Sequence, residues 1–189
     1  MAERKPQSEI AEMFTDRWSP RAFSSEPIKE SQLQSLFEAA RWASSCYNEQ
    51  PWLFYYVTSD SPKHSLFIET LVELNQSWAR NAPALIYLVT RKSFAYNNKA
   101  NPWSEFDAGS AWMSLALQAR QMGLYAHAMA GFKRKAAMTF LGLKEETHKI
   151  CAAIAVGHLG NKNDLNAELA EKEEPSDRIL AAEFVHKIV

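Results

Sequence analysis

Between Ser44 and Trp52 the chain reads Ser-Ser-Cys-Tyr-Asn-Glu-Gln-Pro-Trp. Hydroxyls, a thiol, two amides, a proline and a tryptophan thus fall within nine positions. A buried strand entrance rarely needs so many hydrogen-bonding groups. The edge of a planar, heteroatom-rich cofactor does, because each ring nitrogen or oxygen taken out of water must be paired. A second segment, Arg17-Trp18-Ser19-Pro20-Arg21, holds two guanidinium groups and a hydroxyl in five residues. Guanidinium is a planar fork of donors that suits a phosphate, and the serine adds another donor. An arginine pair alone is commonly a solvated surface. Its weight here comes from the Ser44 segment following about one helix later.

Repeating apolar positions show which elements must hold these segments. A short first helix is expected over 8–14. Leu33, Leu36, Phe37 and Ala40 recur at helical spacing after Ser31 and Gln34, which fit a capping box. That helix should end near Ala43 and leave Ser44–Gln50 on a loop. Residues 52–58 are aromatic and β-branched, hence a strand. A helix over 62–74 and a buried strand over 84–89 follow. Asp107 is expected to cap a long Ala-rich helix that Gly123 ends. A strand over 125–129, a helix over 133–141 stopped by Gly142 and a strand over 150–156 complete the pattern. The connection 91–106 is long, polar and aromatic, as functional loops often are. The stretch 157–175 is charged and reads as an extended arm. Residues 179–189 then turn apolar, and such a tail must dock on the chain's own core or on a partner. The expectation is one mixed α and β domain around a sheet of four or five strands.

Bulk properties exclude several classes. The chain has 189 residues, 47% of them hydrophobic, which suits one domain with a sizeable core. The net charge is −1 and the pI about 6.5, without the positive field that nucleic-acid binding needs. No apolar run approaches the roughly 20 residues of a membrane span. The polar start, residues 1–8, has no apolar signal core, so a cytoplasmic location is expected. Cys46 and Cys151 then read as free thiols, too far apart for zinc spacing. Trp52 reads as core, and His127 and His158 as structural or exposed.

Taken in order, these motifs resemble the FMN-dependent nitroreductase family. Arg17-Trp18-Ser19-Pro20-Arg21 is similar to its phosphate and ribityl motif, and Ala43 to Trp52 to its Ala-Pro-Ser-Ser-x-Asn-x-Gln-Pro-Trp. Asn75, Phe106-Asp107-Ala108-Gly109, Gly123-Leu124, Ala130-Gly131-Phe132, Ala153–Gly157 and Arg178 follow in the family's order. The resemblance covers roughly residues 10 to 189.

It implies an α+β fold with a central, mostly antiparallel sheet flanked by helices, in an intertwined homodimer. Residues 1–189 would form one FMN-binding domain, with 157–189 an arm wrapping the partner. It implies FMN as cofactor, NADH or NADPH as electron donor, and a nitroaromatic, quinone or similar small acceptor reduced by two-step exchange. Relatives that dehydrogenate or dehalogenate, and a flavin-binding dimer with little turnover, are the alternatives. Carried over residue by residue, the cofactor shell would be Arg17, Trp18, Ser19, Arg21, Ser44, Ser45, Cys46, Asn48, Gln50, Asn75, Ala130, Gly131 and Arg178. The Ser44–Gln50 loop would come from the partner subunit. The Ala130–Gly131 backbone would lie at flavin N5. No side chain is expected to act as acid or base, and no metal or nucleic acid is implied. Four features depart from the pattern: Ser44 stands for proline, Cys46 for serine, Ala130 for an acidic residue, and Trp78 and Ser176 for lysines.

Overall fold

A computed structural model describes residues 4–188. The first three residues of the polar start, and Val189 at the end of the apolar tail, lie outside the described residues. Four strands form one antiparallel sheet in the order β1-β2-β4-β3: β1 (Trp52–Thr58), β2 (Ala84–Arg91), β3 (Tyr125–Met129) and β4 (His148–Gly157). The helices are α1 (Glu12–Asp16), α2 (Glu30–Arg41), α3 (His64–Glu69), α4 (Glu73–Ala79), α5 (Ser104–Gln121), α6 (Arg134–Leu141) and α7 (Ala167–Glu171).

Strand β2 is buried along almost its whole length, and its period of two sorts side chains onto two cores. Leu85, Tyr87 and Val89 face α3, α4 and α6 through Phe67, Ile68, Trp78, Ala79 and Met138. Ala84, Ile86 and Leu88 face the other way, onto Leu33, Leu36 and Ala40 of α2 and the stripe Ala108, Ala111, Leu115, Ala116, Ala119 of α5. Small residues on α5 let that helix lie close against the sheet and α2. Strand β3 stands at the sheet's edge, so one side of its backbone is free to carry a site.

Strands 52–58 and 125–129 fall where the sequence reading puts them. Three expectations are corrected. The helix expected over 62–74 is two short helices, because after Thr70 the chain leaves helical geometry at Leu71-Val72 to run beside 131–133. There Leu71 bridges Phe132, Val72 N–H donates to Gly131 C=O and Lys133 N–H donates to Thr70 C=O. Helix α2 starts earlier than Ser31, with the Gln32 side chain accepting from Lys29 N–H at 2.9 Å. Helix α5 starts at Ser104, so Asp107 lies in its first turn rather than at its cap.

The polar segment after β4 folds back on its own chain in its first part. Leu159 bridges Phe23, Leu169 of α7 is buried in the core, and Glu173 is 6% exposed. Its carboxylate accepts from Arg21 N–H at 2.6 Å and Ala22 N–H at 2.7 Å. Beyond it the chain carries a run of exposed apolar residues: Ile179, Leu180, Phe184, Val185 and Ile188.

Candidate functional site

A cavity of about 310 Å³ opens beside the edge strand β3. Arg17, Trp18, Ser19 and Arg21 line it from the loop after α1, and Arg178 from the C-terminal segment. Sequence placed these residues at opposite ends of the chain, and the fold brings them together. Five cationic side chains line the cavity (Arg4, Arg17, Arg21, Lys172 and Arg178) against one carboxylate, Glu174. Lys172 is paired with Glu168 at 2.9 Å, and Arg21 lies 3.8 Å from Glu173. Arg17 donates to Ser19 Oγ at 3.3 Å. Burial first, then the nearby Arg178 and Arg4, push the Arg17 guanidinium below its ordinary pKa. A half-buried cation hemmed in by cations is a high-energy arrangement that an anion relieves. The donor set of guanidinium forks plus a hydroxyl fits a phosphate monoester.

His127 and Arg4 also line this cavity, and sequence reasoning missed both. His127 comes from β3, and its Nδ1 lies 2.7 Å from the Pro20 carbonyl. A carbonyl only accepts, so Nδ1 carries the proton. The imidazole thereby pins the middle of the Arg17–Arg21 loop. Its other support is Trp78, whose ring lies 4.7 Å away and stacks on Phe23 on the core side. Trp78 is 1% exposed, so the residue standing where the family has lysine is a core ring under the cavity. The available signal for His127 was a polar residue in a short strand otherwise built of Tyr, Ala and Met.

Burial, with smaller contributions from Arg21 and Arg17, pushes His127 down to about 4, against the Pro20 and Ser19 carbonyls. The unfolded chain takes up this proton near 6.5, so the unfolded state binds more protons between pH 6.5 and 4. Stability is therefore lost as pH falls through that window, by about 3 kcal/mol at most. Chemical denaturation at pH 7 and pH 4.5 should show this loss, and His127→Asn should flatten it.

Four residues beyond His127, about 13 Å along extended chain, is Gly131. Its carbonyl accepts from Asn75 Nδ2 at 3.0 Å and from Val72 N–H at 3.1 Å. Asn75 and the Ala130–Gly131 backbone, proposed separately from sequence, thus share one spot. Ala130 is exposed there. Gly131 is required by this close approach: a Cβ would lie 2.5 Å from Asn75 Nδ2 and 2.9 Å from Val72 Cγ2. Gly131→Ala should destabilise the fold by about 1–3 kcal/mol, the usual cost of overpacking. A urea titration checks this, and adding Asn75→Ala should recover part of the loss.

The Ser44–Gln50 loop is a separate structure at the other end of α5. Tyr47, Asn48 and Gln50 have φ of 54°, 56° and 50°, left-handed values that side chains other than glycine rarely adopt. Three contacts hold them there. Asp107, 2% exposed, accepts from Cys46 N–H with both oxygens at 3.2 Å. Ser45 Oγ accepts from Gln50 N–H at 3.0 Å, and Arg91 donates to Gln50 C=O at 2.9 Å. Burial pushes the Asp107 carboxyl up, and the Cys46 N–H opposes that. Ser44 is exposed and Cys46 half-buried. The aromatic connection 92–103 docks on this loop: Glu49 accepts from Ala95 N–H at 2.7 Å, and the Tyr47 and Phe94 rings meet edge to face at 6.2 Å. Tyr96, Trp103 and Phe106 are exposed beside it.

One chain does not bring its two halves together. The loop is fixed to Asp107 in the first turn of α5. The arginine segment is fixed near its last turn, where Arg120 pairs with Asp16 at 3.7 Å. Thirteen residues of helix separate those anchors, about 20 Å.

Comparison with known proteins gives the family and the fold. The model of the Nitroreductase family matches residues 14–69 and 58–158. The chain belongs to the nitroreductase family. It is therefore an oxidoreductase by membership. The crystal structure of an oxidoreductase containing FMN is 37% identical, covers 99% of this chain and 96% of its own, and superposes with a TM-score of 0.94. A Caulobacter vibrioides protein bearing the name NADH dehydrogenase/NAD(P)H nitroreductase is 27% identical over 173 residues, spanning 79% of this chain and 85% of that one. A nitroreductase-type structure from Desulfovibrio desulfuricans, solved in complex with FMN, shares the fold at 22% identity and a TM-score of 0.73, covering 94% of this chain and 95% of that one. The family fold has the four-stranded antiparallel sheet flanked by helices seen here. No helix among the described residues is long and apolar enough to cross a membrane, and none of their His, Cys, Asp and Glu side chains cluster in a metal-holding group.

Proposed function

We propose that this nitroreductase-family protein binds FMN and uses NAD(P)H to reduce nitroaromatic, quinone or similar small acceptors by two-step exchange. The observation that carries this reading is the cation-rich cavity, in which Arg17, Ser19, Arg21 and Arg178 converge beside β3. Kinship at 37% identity with an FMN-containing oxidoreductase supports it.

In this reading Arg17, Arg21 and Arg178 hold the phosphate, and Ser19 donates to it or to the ribityl chain. Trp18 walls the cavity. Asn75 and the Ala130–Gly131 backbone line the site just beyond the end of β3. When bound, FMN supplies the hydride-accepting chemistry. The chain binds, orients and excludes water, with no side chain required as acid or base. Ser44, Ser45, Cys46, Asn48 and Gln50 face the cofactor from a second copy, because about 20 Å of α5 separates them from the arginines of their own chain. That distance supports a homodimer. The exposed apolar side chains Trp42, Phe106, Met113, Phe184 and Ile188 add to that support.

Anaerobic stopped-flow absorbance tests the reading. The purified protein should be yellow with one FMN per chain. NADH or NADPH should bleach it, and a nitroaromatic or quinone should restore the colour. A colourless protein that takes up no added FMN rejects the cofactor. A yellow protein that neither donor bleaches is a flavin binder without turnover. The connection 92–103 would shape the acceptor side, since it lies on the Ser44–Gln50 loop. Tyr96→Ala with Trp103→Ala should change acceptor KM and preference and leave FMN content intact. Loss of FMN in that variant would instead place these rings in the cofactor shell.

A further inference from the structure

Residues 4–10 form neither helix nor strand, yet they are tied to both chain ends of the cavity. Arg4 is the knot. Its Nε donates to Ser176 C=O at 3.0 Å, and its Nη1 donates to Thr15 C=O and Arg17 C=O, both at 2.7 Å. One guanidinium therefore joins the N-terminal segment, the loop carrying Arg17, and the C-terminal segment carrying Arg178. Gln7 adds a second tie, accepting from Ala181 N–H at 2.8 Å. Between the two segments runs an apolar seam of about 440 Å³ lined by Ile10, Phe14, Ile179, Leu180 and Phe184. Those five side chains remain at least half exposed, so the seam alone holds the segments weakly.

Charge opposes this knot. Burial first, and then Arg178, push the Arg4 and Arg17 guanidiniums down; Arg4 adds to this at Arg17, and Asp177 opposes it at Arg4. The three carbonyl bonds hold Arg4 where its like-charged neighbours repel it. A dianion in the cavity reverses the sign of that balance, since each guanidinium then meets an opposite charge.

We propose that Arg4 is an anion-dependent latch: a phosphate bound among Arg4, Arg17 and Arg178 fastens the N-terminal segment and the C-terminal segment over the cavity, and its release frees them. The inference rests on the reading of this cavity as the FMN phosphate site. It adds a positioning residue from outside the Arg17–Arg21 motif and makes order at both chain ends a consequence of cofactor occupancy. Coupling of this kind is reciprocal, so losing the latch also weakens the anion.

Amide hydrogen exchange of the full chain tests it, with wild type, Arg4→Gln and Arg4→Lys each measured apo, with inorganic phosphate and with FMN. In wild type, FMN should slow exchange at residues 177–184 by roughly 10-fold or more, and inorganic phosphate should reproduce part of that in the apo protein. Arg4→Gln should lose most of this ligand-dependent protection and bind FMN about 10-fold more weakly, the loss of one charge-assisted hydrogen bond. Arg4→Lys keeps the charge without the fork, and should keep part of the affinity but not the protection. Equal protection of 177–184 in apo and loaded wild type would overturn the latch, as would ligand-dependent protection that survives in Arg4→Gln. If wild type binds neither FMN nor phosphate, the cofactor reading falls with it. If FMN binds tightly and the segments ignore it, the latch alone falls.

Discussion

Arg17→Ala/Arg21→Ala is expected to purify nearly colourless, with FMN affinity lowered roughly 10²- to 10⁴-fold. Each guanidinium removed costs about 1.5–3 kcal/mol for a hydrogen bond to a charged group. The two neighbours share one anion, so the sum is not strictly additive. Arg17 is the cleaner half, since its guanidinium donates to Ser19 Oγ and has Arg178 and Arg4 as neighbours. Arg21 also faces the buried Glu173 at 3.8 Å, and its removal costs some stability. The Glu173 carboxylate still receives two backbone N–H groups, so the loop should keep its shape. Fluorescence titration of apo variants with FMN reads the affinities, and denaturation separates stability from binding. FMN retention equal to wild type would show that the cavity does not hold the phosphate.

The second large effect is expected at Asp107. Asp107→Ala leaves the Cys46 N–H without its buried acceptor, a loss of about 1.5–3 kcal/mol for a bond to a carboxylate. Left-handed backbone at Tyr47, Asn48 and Gln50 costs of order 1–3 kcal/mol at each, and persists only while the surroundings enforce it. Without Asp107 the loop should relax and its polar groups should scatter. Turnover should then fall at least 10-fold with the phosphate cavity intact, so FMN is retained more than in the double arginine variant. Asp107→Asn keeps an oxygen acceptor and should lose much less. Identical kinetics in Asp107→Ala and wild type would reduce Asp107 to an ordinary buried residue of α5.

Regular elements were legible where the periodicity is strong. The 52–58 strand and the Ala-rich helix ending at Gly123 follow directly from spacing and turn chemistry. The 62–74 helix was not, because the break at Leu71 is set by pairing with Phe132, a partner far away in sequence. Both polar motifs are held in defined places, the arginines lining a cavity and the Ser44–Gln50 loop fixed by Asp107, but sequence order did not reveal their separation along α5. Asp107 looked like a cap because capping and loop-holding use the same carboxylate, and only the register of the helix start distinguishes them. His127 read as structural or exposed, and its bond to the Pro20 carbonyl makes it structural. Its significance comes from Pro20, which the fold delivers from more than a hundred residues away. Arg4 carries no local signal at all, since its three carbonyl partners meet only after the chain ends come together.

The central claim is that each site takes its arginine cavity from one copy and its Ser44–Gln50 loop from another. A mixed dimer tests it most directly, with Arg17→Ala/Arg21→Ala on one chain and Asp107→Ala/Gln50→Ala on its partner, isolated by two different tags. If the sites are composite, one of them collects every substitution and the other collects none. The mixed dimer should then bind one FMN at wild-type affinity and show about half the wild-type turnover, although both parent dimers are impaired. If each chain builds its own site, both sites in the mixed dimer carry a defect. A mixed dimer without a wild-type site would contradict the account.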